Sequence, residues 1–398
     1  MGMHVAVVGA GIMGLSTAWA LARRGHRVSV YDQYAVPNPL GSSVDQHRLI
    51  RHAYGAEGGY TDMVDEAYGA WERLWADLGQ RLYEPTGTLC LGSVDDTAWL
   101  HESAATLAGR GRAVRWLSGA ALAAEFPLIE ARGVREAFHL KTGGVLLAGR
   151  IIELLAHHLP GRNVTIHPHA AVLDVDPATA TIRLADRSAV RADALVVAAG
   201  PWVRRLAPAV AERAVPSRQV LTYLAMPEGL RKAWAKHPMV LDIDPDCGFY
   251  LVPPVAGTGM KIGDHRFTLN GDPDRDRDAG LEEAERIWAF GRARLADPDR
   301  YSIASAATCF YTCVKNERFV VEPLDGAGAS GGRASGGRTW VMTGFSGHGF
   351  KFGPVLGERM AAALENPDLG PTLTSWAAGR QTAPDPPSPG ISTDTQSS

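Results

Sequence analysis

The chain has 398 residues, 45% of them apolar and 21% charged, with a formal net charge of -3. That composition can fill two lobes with hydrophobic cores and excludes disorder as the default state. It offers no basic field to recruit nucleic acid or an anionic membrane, so small molecules are the expected partners.

His4 to Val8 reads as a short apolar strand, Leu15 to Arg24 as a helix, and Arg27 to Asp32 as a second strand. Between the first strand and the helix stands Gly9-Ala10-Gly11-Ile12-Met13-Gly14. Gly9 permits the tight turn, Gly11 admits a pyrophosphate to the backbone amides, and Gly14 lets helix and strand approach closely. The helix N-terminus adds partial positive charge. Asp32 ends the second strand, where a carboxylate accepts hydrogen bonds from a ribose diol. The fingerprint predicts a dinucleotide site and does not by itself separate NAD from FAD. The longest apolar run, Val5 to Leu15, is broken by its glycines and too short to span a bilayer. Neither a signal peptide nor a membrane anchor is expected.

Leu82 to Leu91 and Val114 to Leu147 mix strands and helices. Asn163 to Val175, Thr181 to Leu184 and Ala194 to Ala199 are strand-rich and lead into Gly200-Pro201-Trp202. Gln219 to His265 is rich in β-branched and aromatic residues, which fits a separate sheet-based lobe. A Gly/Ser/Arg loop at 325–338 is expected to be a flexible surface insertion, and the Pro/Ser/Thr/Asp tail at 381–398 to be disordered. Cys90, Cys247, Cys309 and Cys313 show neither zinc-ligand spacing nor a disulfide framework, which suits a reducing cytoplasm, and no metal site is expected.

Four further segments resemble the monomeric sarcosine oxidase and N-methyltryptophan oxidase family, FAD-dependent amine oxidases of the D-amino acid oxidase superfamily. They are Gly41-Ser42-Ser43-Val44-Asp45-Gln46-His47-Arg48-Leu49-Ile50-Arg51-His52-Ala53-Tyr54-Gly55, Gly259 to His265, Cys309-Phe310-Tyr311-Thr312, and Gly344-Phe345-Ser346-Gly347-His348-Gly349-Phe350-Lys351-Phe352. They occur in family order, and the likeness runs from residue 4 to about 365. It implies a mixed α/β and α+β fold: a Rossmann-type FAD lobe from discontinuous segments and a substrate lobe with a large, mostly antiparallel sheet. The expected FAD lobe comprises 1–84, 148–217 and 313–380, and the expected substrate lobe 85–147 and 218–312. Gln46, His47 and Asp264 depart from the family pattern.

The resemblance also implies roles. Arg51 and Lys351 would clamp a substrate carboxylate, the guanidinium bidentately and the ammonium as a second charge. Lys261 would stabilise the anion that develops as O₂ is reduced, although a lysine in Gly-Met-Lys-Ile-Gly would ordinarily be solvated. Cys309 would carry FAD through an 8α-thioether, with Cys313 the competing thiol. His265, His348 and Tyr250 would shape the pocket. Cofactor contacts are expected from Gly9, Gly11, Ile12, Met13, Gly14, Asp32, Gln33, Gly200 and Trp202, and by resemblance from Ser42, Ser43, Arg48, Leu49, Arg51, Cys309, Tyr311, Phe345, Gly347, His348, Gly349, Phe350 and Lys351. The implied reaction oxidises a secondary amine of an amino acid to an imine, O₂ becoming H₂O₂, in a cytoplasmic monomer. Two alternatives stand beside it: a flavin-dependent biosynthetic oxidase or dehydrogenase acting on a pipecolate-like cyclic substrate, and an NAD-dependent dehydrogenase.

Overall fold

The structure, a computed structural model, describes residues 2–92, 97–243, 248–324 and 337–380. Most of the loop at 325–338, all of the tail at 381–398, and Cys247 lie outside the described residues.

Strand His4–Val8 sits inside a six-stranded sheet, parallel to Ala194–Val197 on one side and Arg27–Tyr31 on the other. Thr339–Thr343 and Val164–His167 extend the sheet in parallel, and Val320–Pro323 closes one edge antiparallel. Its central strands are near-continuous apolar runs because both faces are covered. Helices Ile12–Arg23, Gly58–Leu78, Ala148–His158 and Gly353–Glu365 contribute Trp19, Trp71, Ile152 and Leu356 to the core on one face. The other face packs on Val175 and Ile182 of a three-stranded sheet, Val172–Asp176, Thr181–Leu184 and Ala189–Arg191.

The second large sheet has eight strands in the order Ser302–Cys313, Val215–Ala225, Met260–Asp264, Phe249–Val252, Met239–Asp242, Thr88–Gly92, Glu136–Leu140 and Arg115–Leu117. All its neighbours are antiparallel except Met239–Asp242 with Thr88–Gly92. Helix Leu281–Arg294 covers one face, where Ile287 and Trp288 share a core with Met260 and Ile262. Strand alternation therefore turns the intervening Lys261 to the opposite face, toward the site described below.

Two boundaries differ from the sequence reading. The first helix begins at Ile12 rather than Leu15, because the Ile12 N–H finds a cap partner in Ser43 Oγ, 2.9 Å away. The stretch Asn163 to Val175 is two strands in different sheets, separated by a turn in which His169 takes φ 55°.

Helices Ile12–Arg23 and Gly353–Glu365 cross closely enough that a Cβ on Gly357 would stand 2.5 Å from the Ser16 carbonyl oxygen. Backbone on both sides leaves no flexible atom to yield. Gly357→Ala is expected to destabilise the fold by about 1–3 kcal/mol, the usual cost of overpacking, and so to lower the thermal midpoint. An unchanged midpoint would contradict this account of the crossing.

Candidate active site

Two cavities adjoin where the six-stranded and eight-stranded layers meet, and Arg48, Tyr311, Gly347 and Phe350 line both. The first, about 270 Å³, follows the glycine turn after His4–Val8. Gly9, Gly11, Ile12, Met13, Asp32, Gln33, Ser42, Ser43, Gly200, Trp202, Phe345 and Gly349 line it. Gly14 lines neither cavity; a Cβ there would lie 1.8 Å from the Gly9 carbonyl oxygen, so its contribution is the close fit of helix to strand. Asp32 is buried at the cavity wall, one oxygen accepting from Ala10 N at 2.9 Å and the other from Asn38 Nδ2 at 2.9 Å and Tyr34 N at 3.1 Å. Burial pushes its carboxyl above the ordinary range, against these hydrogen bonds. A glycine-lined groove opening a helix, with a fixed carboxylate one strand away, fits the pyrophosphate and ribose of a dinucleotide.

The second cavity, about 390 Å³, gathers residues from both layers. Leu49, Arg51, Tyr250, Lys261, His265, Cys309, His348 and Lys351 all line it. His265 is largely exposed at its edge, Nε2 lying 3.6 Å from Glu317 Oε2. Cys309 lies on strand Ser302–Cys313 with its sulfur 3.7 Å from Arg48 Nη2, whereas Cys313 is buried and lines neither cavity. Burial raises the Cys309 thiol pKa, opposed by Arg48.

Arg51 and Lys351 reach the cavity from opposite ends of the chain and meet at one ring. The Arg51 guanidinium lies 4.3 Å from the Tyr54 ring centroid and donates to the Ala53 carbonyl. Lys351, on the turn Phe350–Phe352, is 3% exposed; its Nζ donates to Tyr54 Oη at 2.8 Å and to the His348 carbonyl at 2.7 Å. Both partners are neutral acceptors, and among the described residues no carboxylate forms an ion pair with either cation. Burial, and then the repulsion of Arg51, hold the Lys351 ammonium well below its ordinary pKa. Burial likewise depresses His348, with Lys351 adding to the effect.

Lys261 is different. It is 2% exposed, and its Nζ donates to Asp45 Oδ2 and to the His47 carbonyl, both at 2.8 Å. Asp45 also accepts from Arg48 and from the Tyr223 hydroxyl. Burial alone would raise the Asp45 carboxyl, but Lys261 and Arg48 outweigh it and hold the group far below the usual range. Lys261 is lowered by burial to about 8, with Asp45 opposing the fall. The sequence reading singled out Lys261 and Arg48 but missed Asp45, Tyr223 and Tyr54. Asp45 stands three residues before Arg48, a spacing that allows a local ion pair, but nothing in the sequence announces its contact with a lysine 216 positions away.

Residues 4–363 match the model of a family described as FAD dependent oxidoreductase. A monomeric sarcosine oxidase from Bacillus sp. (strain B-0618) is 27% identical over 89% of this chain and 90% of its own. An N-methyl-L-tryptophan oxidase from Citrobacter koseri is 27% identical over 94% of this chain and 98% of its own. Among solved structures, a modified fructosyl peptide oxidase from Aspergillus nidulans superposes with a TM-score of 0.79 at 19% identity, covering 95% of this chain and 93% of that one, a likeness of fold.

A buried cation without an anion costs the free protein stability. Because the folded-state pKa of Lys351 lies below the unfolded value, the cost is fully present below the folded pKa and fades as pH rises toward the ordinary lysine range. Lys351→Met is therefore expected to stabilise the ligand-free protein by on the order of 1–3 kcal/mol, a gain that raises its thermal midpoint and shrinks with increasing pH. A lowered midpoint at neutral pH would contradict this description of the site.

Proposed function

The chain belongs to the FAD dependent oxidoreductase family, and from that premise we propose that it oxidises the secondary amine of an amino acid to an imine, with O₂ reduced to H₂O₂. The observation that carries the reading is the pair Arg51 and Lys351, two cations lining one cavity, neither of which forms an ion pair with a carboxylate among the described residues. An α-carboxylate satisfies both, the guanidinium through two parallel N–H donors and the ammonium through the donor that Tyr54 and His348 leave free.

FAD fits the two adjoining cavities. Asp32 would hold its ribose, the turn after His4–Val8 its pyrophosphate, and Cys309 would provide the thiol for covalent attachment, since Cys313 lines neither cavity. When bound, the flavin supplies the two-electron acceptor for the C–H bond beside the amine nitrogen. The chain's own residues do the rest. Arg51 and Lys351 fix the carboxylate and hence the face of the amine presented, and Lys261 places positive charge where O₂ would gain electrons. Trp99, Leu241, Ile243 and Phe249 form an apolar wall that favours N-methyl or ring carbons over polar substituents. Relatives whose names specify sarcosine and N-methyl-L-tryptophan support this substrate class.

The test is a peroxide assay and anaerobic flavin bleaching across sarcosine, N-methyl amino acids, L-proline and L-pipecolate, each beside its carboxamide. Turnover is expected with at least one acid, and the matching amide should bind more weakly by about 1.5–3 kcal/mol, the worth of a charge-assisted hydrogen bond. Equal bleaching by acid and amide, or none by any amine, would overturn the proposal. On acid precipitation the yellow colour should stay with the protein and be lost from the pellet of Cys309→Ser; a yellow Cys309→Ser pellet would move the attachment elsewhere.

A further inference from the structure

We propose that Asp45 is the positioning residue of Lys261: its carboxylate fixes the ammonium at the wall of the second cavity and keeps it charged there. The inference rests on reading that wall as the place where the electron acceptor is met. Lys261 lies on strand Met260–Asp264, in register with Tyr223 on one neighbouring strand and Val252 on the other. Asp45 comes from the loop ahead of strand Arg48–Ile50 and joins this sheet from outside, bonded at once to Lys261, Arg48 and the Tyr223 hydroxyl. Tyr223 thus anchors to its own sheet the carboxylate that holds its cross-strand neighbour.

The geometry leaves the ammonium one free direction. Two of its three N–H groups are taken by Asp45 and the His47 carbonyl, and the third remains for the cavity that Lys261 lines. The charges explain why a carboxylate is needed. Among the described residues, the groups facing Lys261 are Asp45, His47, Arg48, Tyr223, Tyr250 and Cys309; of these Asp45 is the one anion, and Arg48 is a second cation. His47 is held neutral, burial lowering it to about 3. Without the Asp45 charge, a desolvated lysine would share its surroundings with Arg48 and neutral groups alone, and it would release its proton at lower pH. The sign follows. Lys261 loses charge as pH rises through about 8 in the intact cluster, and this loss moves to more acidic pH when the anion is removed.

Two readouts on the purified flavoprotein test this. The first follows acetic anhydride labelling of Lys261 against surface lysines by mass spectrometry across pH, which reads its neutral fraction whatever the substrate proves to be. The second follows reoxidation of the reduced protein by O₂ across the same range. In Asp45→Asn the labelling profile is expected to shift acidward by at least about one pH unit, a roughly tenfold larger neutral fraction at a given mildly acidic pH. Reoxidation should fall about tenfold at alkaline pH, above the wild-type value of about 8, and recover on acidification. Asp45→Glu, which restores the charge, is expected to return both profiles toward wild type. Unshifted labelling in Asp45→Asn, or reoxidation faster than wild type at every pH, would overturn the proposal, the latter by making Asp45 a damper of the lysine. Failure of every amine substrate would count against the proposed function while leaving the labelling result to decide the role of Asp45.

Discussion

The site depends on two cations, Lys351 buried and Arg51 half-buried, neither of which forms an ion pair with a carboxylate among the described residues. Arg51 and Lys351 meet over the ring of Tyr54 and donate to carbonyl and phenol oxygens, none of which carries charge. A protein interior disfavours such an arrangement, because desolvation is not offset by a partner. It becomes favourable when a ligand brings the missing carboxylate, and the differential then appears as binding and orientation. Lys261, buried to a similar degree, is paired with Asp45, whereas among the described residues Lys351 has no carboxylate partner.

Two sheets make this possible. The six-stranded sheet delivers the glycine turn and Asp32 at the ends of parallel strands, where ligands bind in open α/β sheets. The eight-stranded sheet uses strand alternation to bury Met260 and Ile262 beneath a helix while turning Lys261 outward. Between the layers runs Gly41 to Gly55, which carries Ser42 and Ser43 to the first cavity, Arg48 to both, and Arg51 to the second. The turn Phe350–Phe352 adds Lys351, held by a hydrogen bond of 2.7 Å from Trp71 to its carbonyl. Arg48, Arg51, Lys261 and Lys351 each donate to a backbone carbonyl, which is the preorganisation a polar site in an apolar cavity requires.

Much of this was legible in the sequence where the signal is local. The alternation of strand, glycine turn, helix and strand with Asp32 in register located the first cavity, and the family-like segments placed Arg51, Lys261, Cys309 and Lys351 at the second. What escaped was pairing across distance. Asp45 and Tyr54 stand in the Gly41 to Gly55 segment without an assigned role until the fold brings the first to Lys261 and Tyr223 and sets two cations over the second. Gly14 lines neither cavity, and its close approach to the Gly9 carbonyl bears out its reading as a packing residue. Propensity and motif spacing report neighbours in sequence, whereas a charge network is a property of neighbours in space.

The most direct measurement of the central claim is calorimetric titration of the flavoprotein with a carboxylate that cannot be oxidised as an amine, such as 2-furoate, in two buffers of different ionisation enthalpy, beside 2-furamide. If Lys351 waits for an anion with its pKa depressed, carboxylate binding must draw a proton from the buffer at pH values above that depressed pKa, the amide must draw none, and Lys351→Met must abolish the uptake. Binding of acid and amide with equal affinity and no proton uptake at any pH would contradict the account.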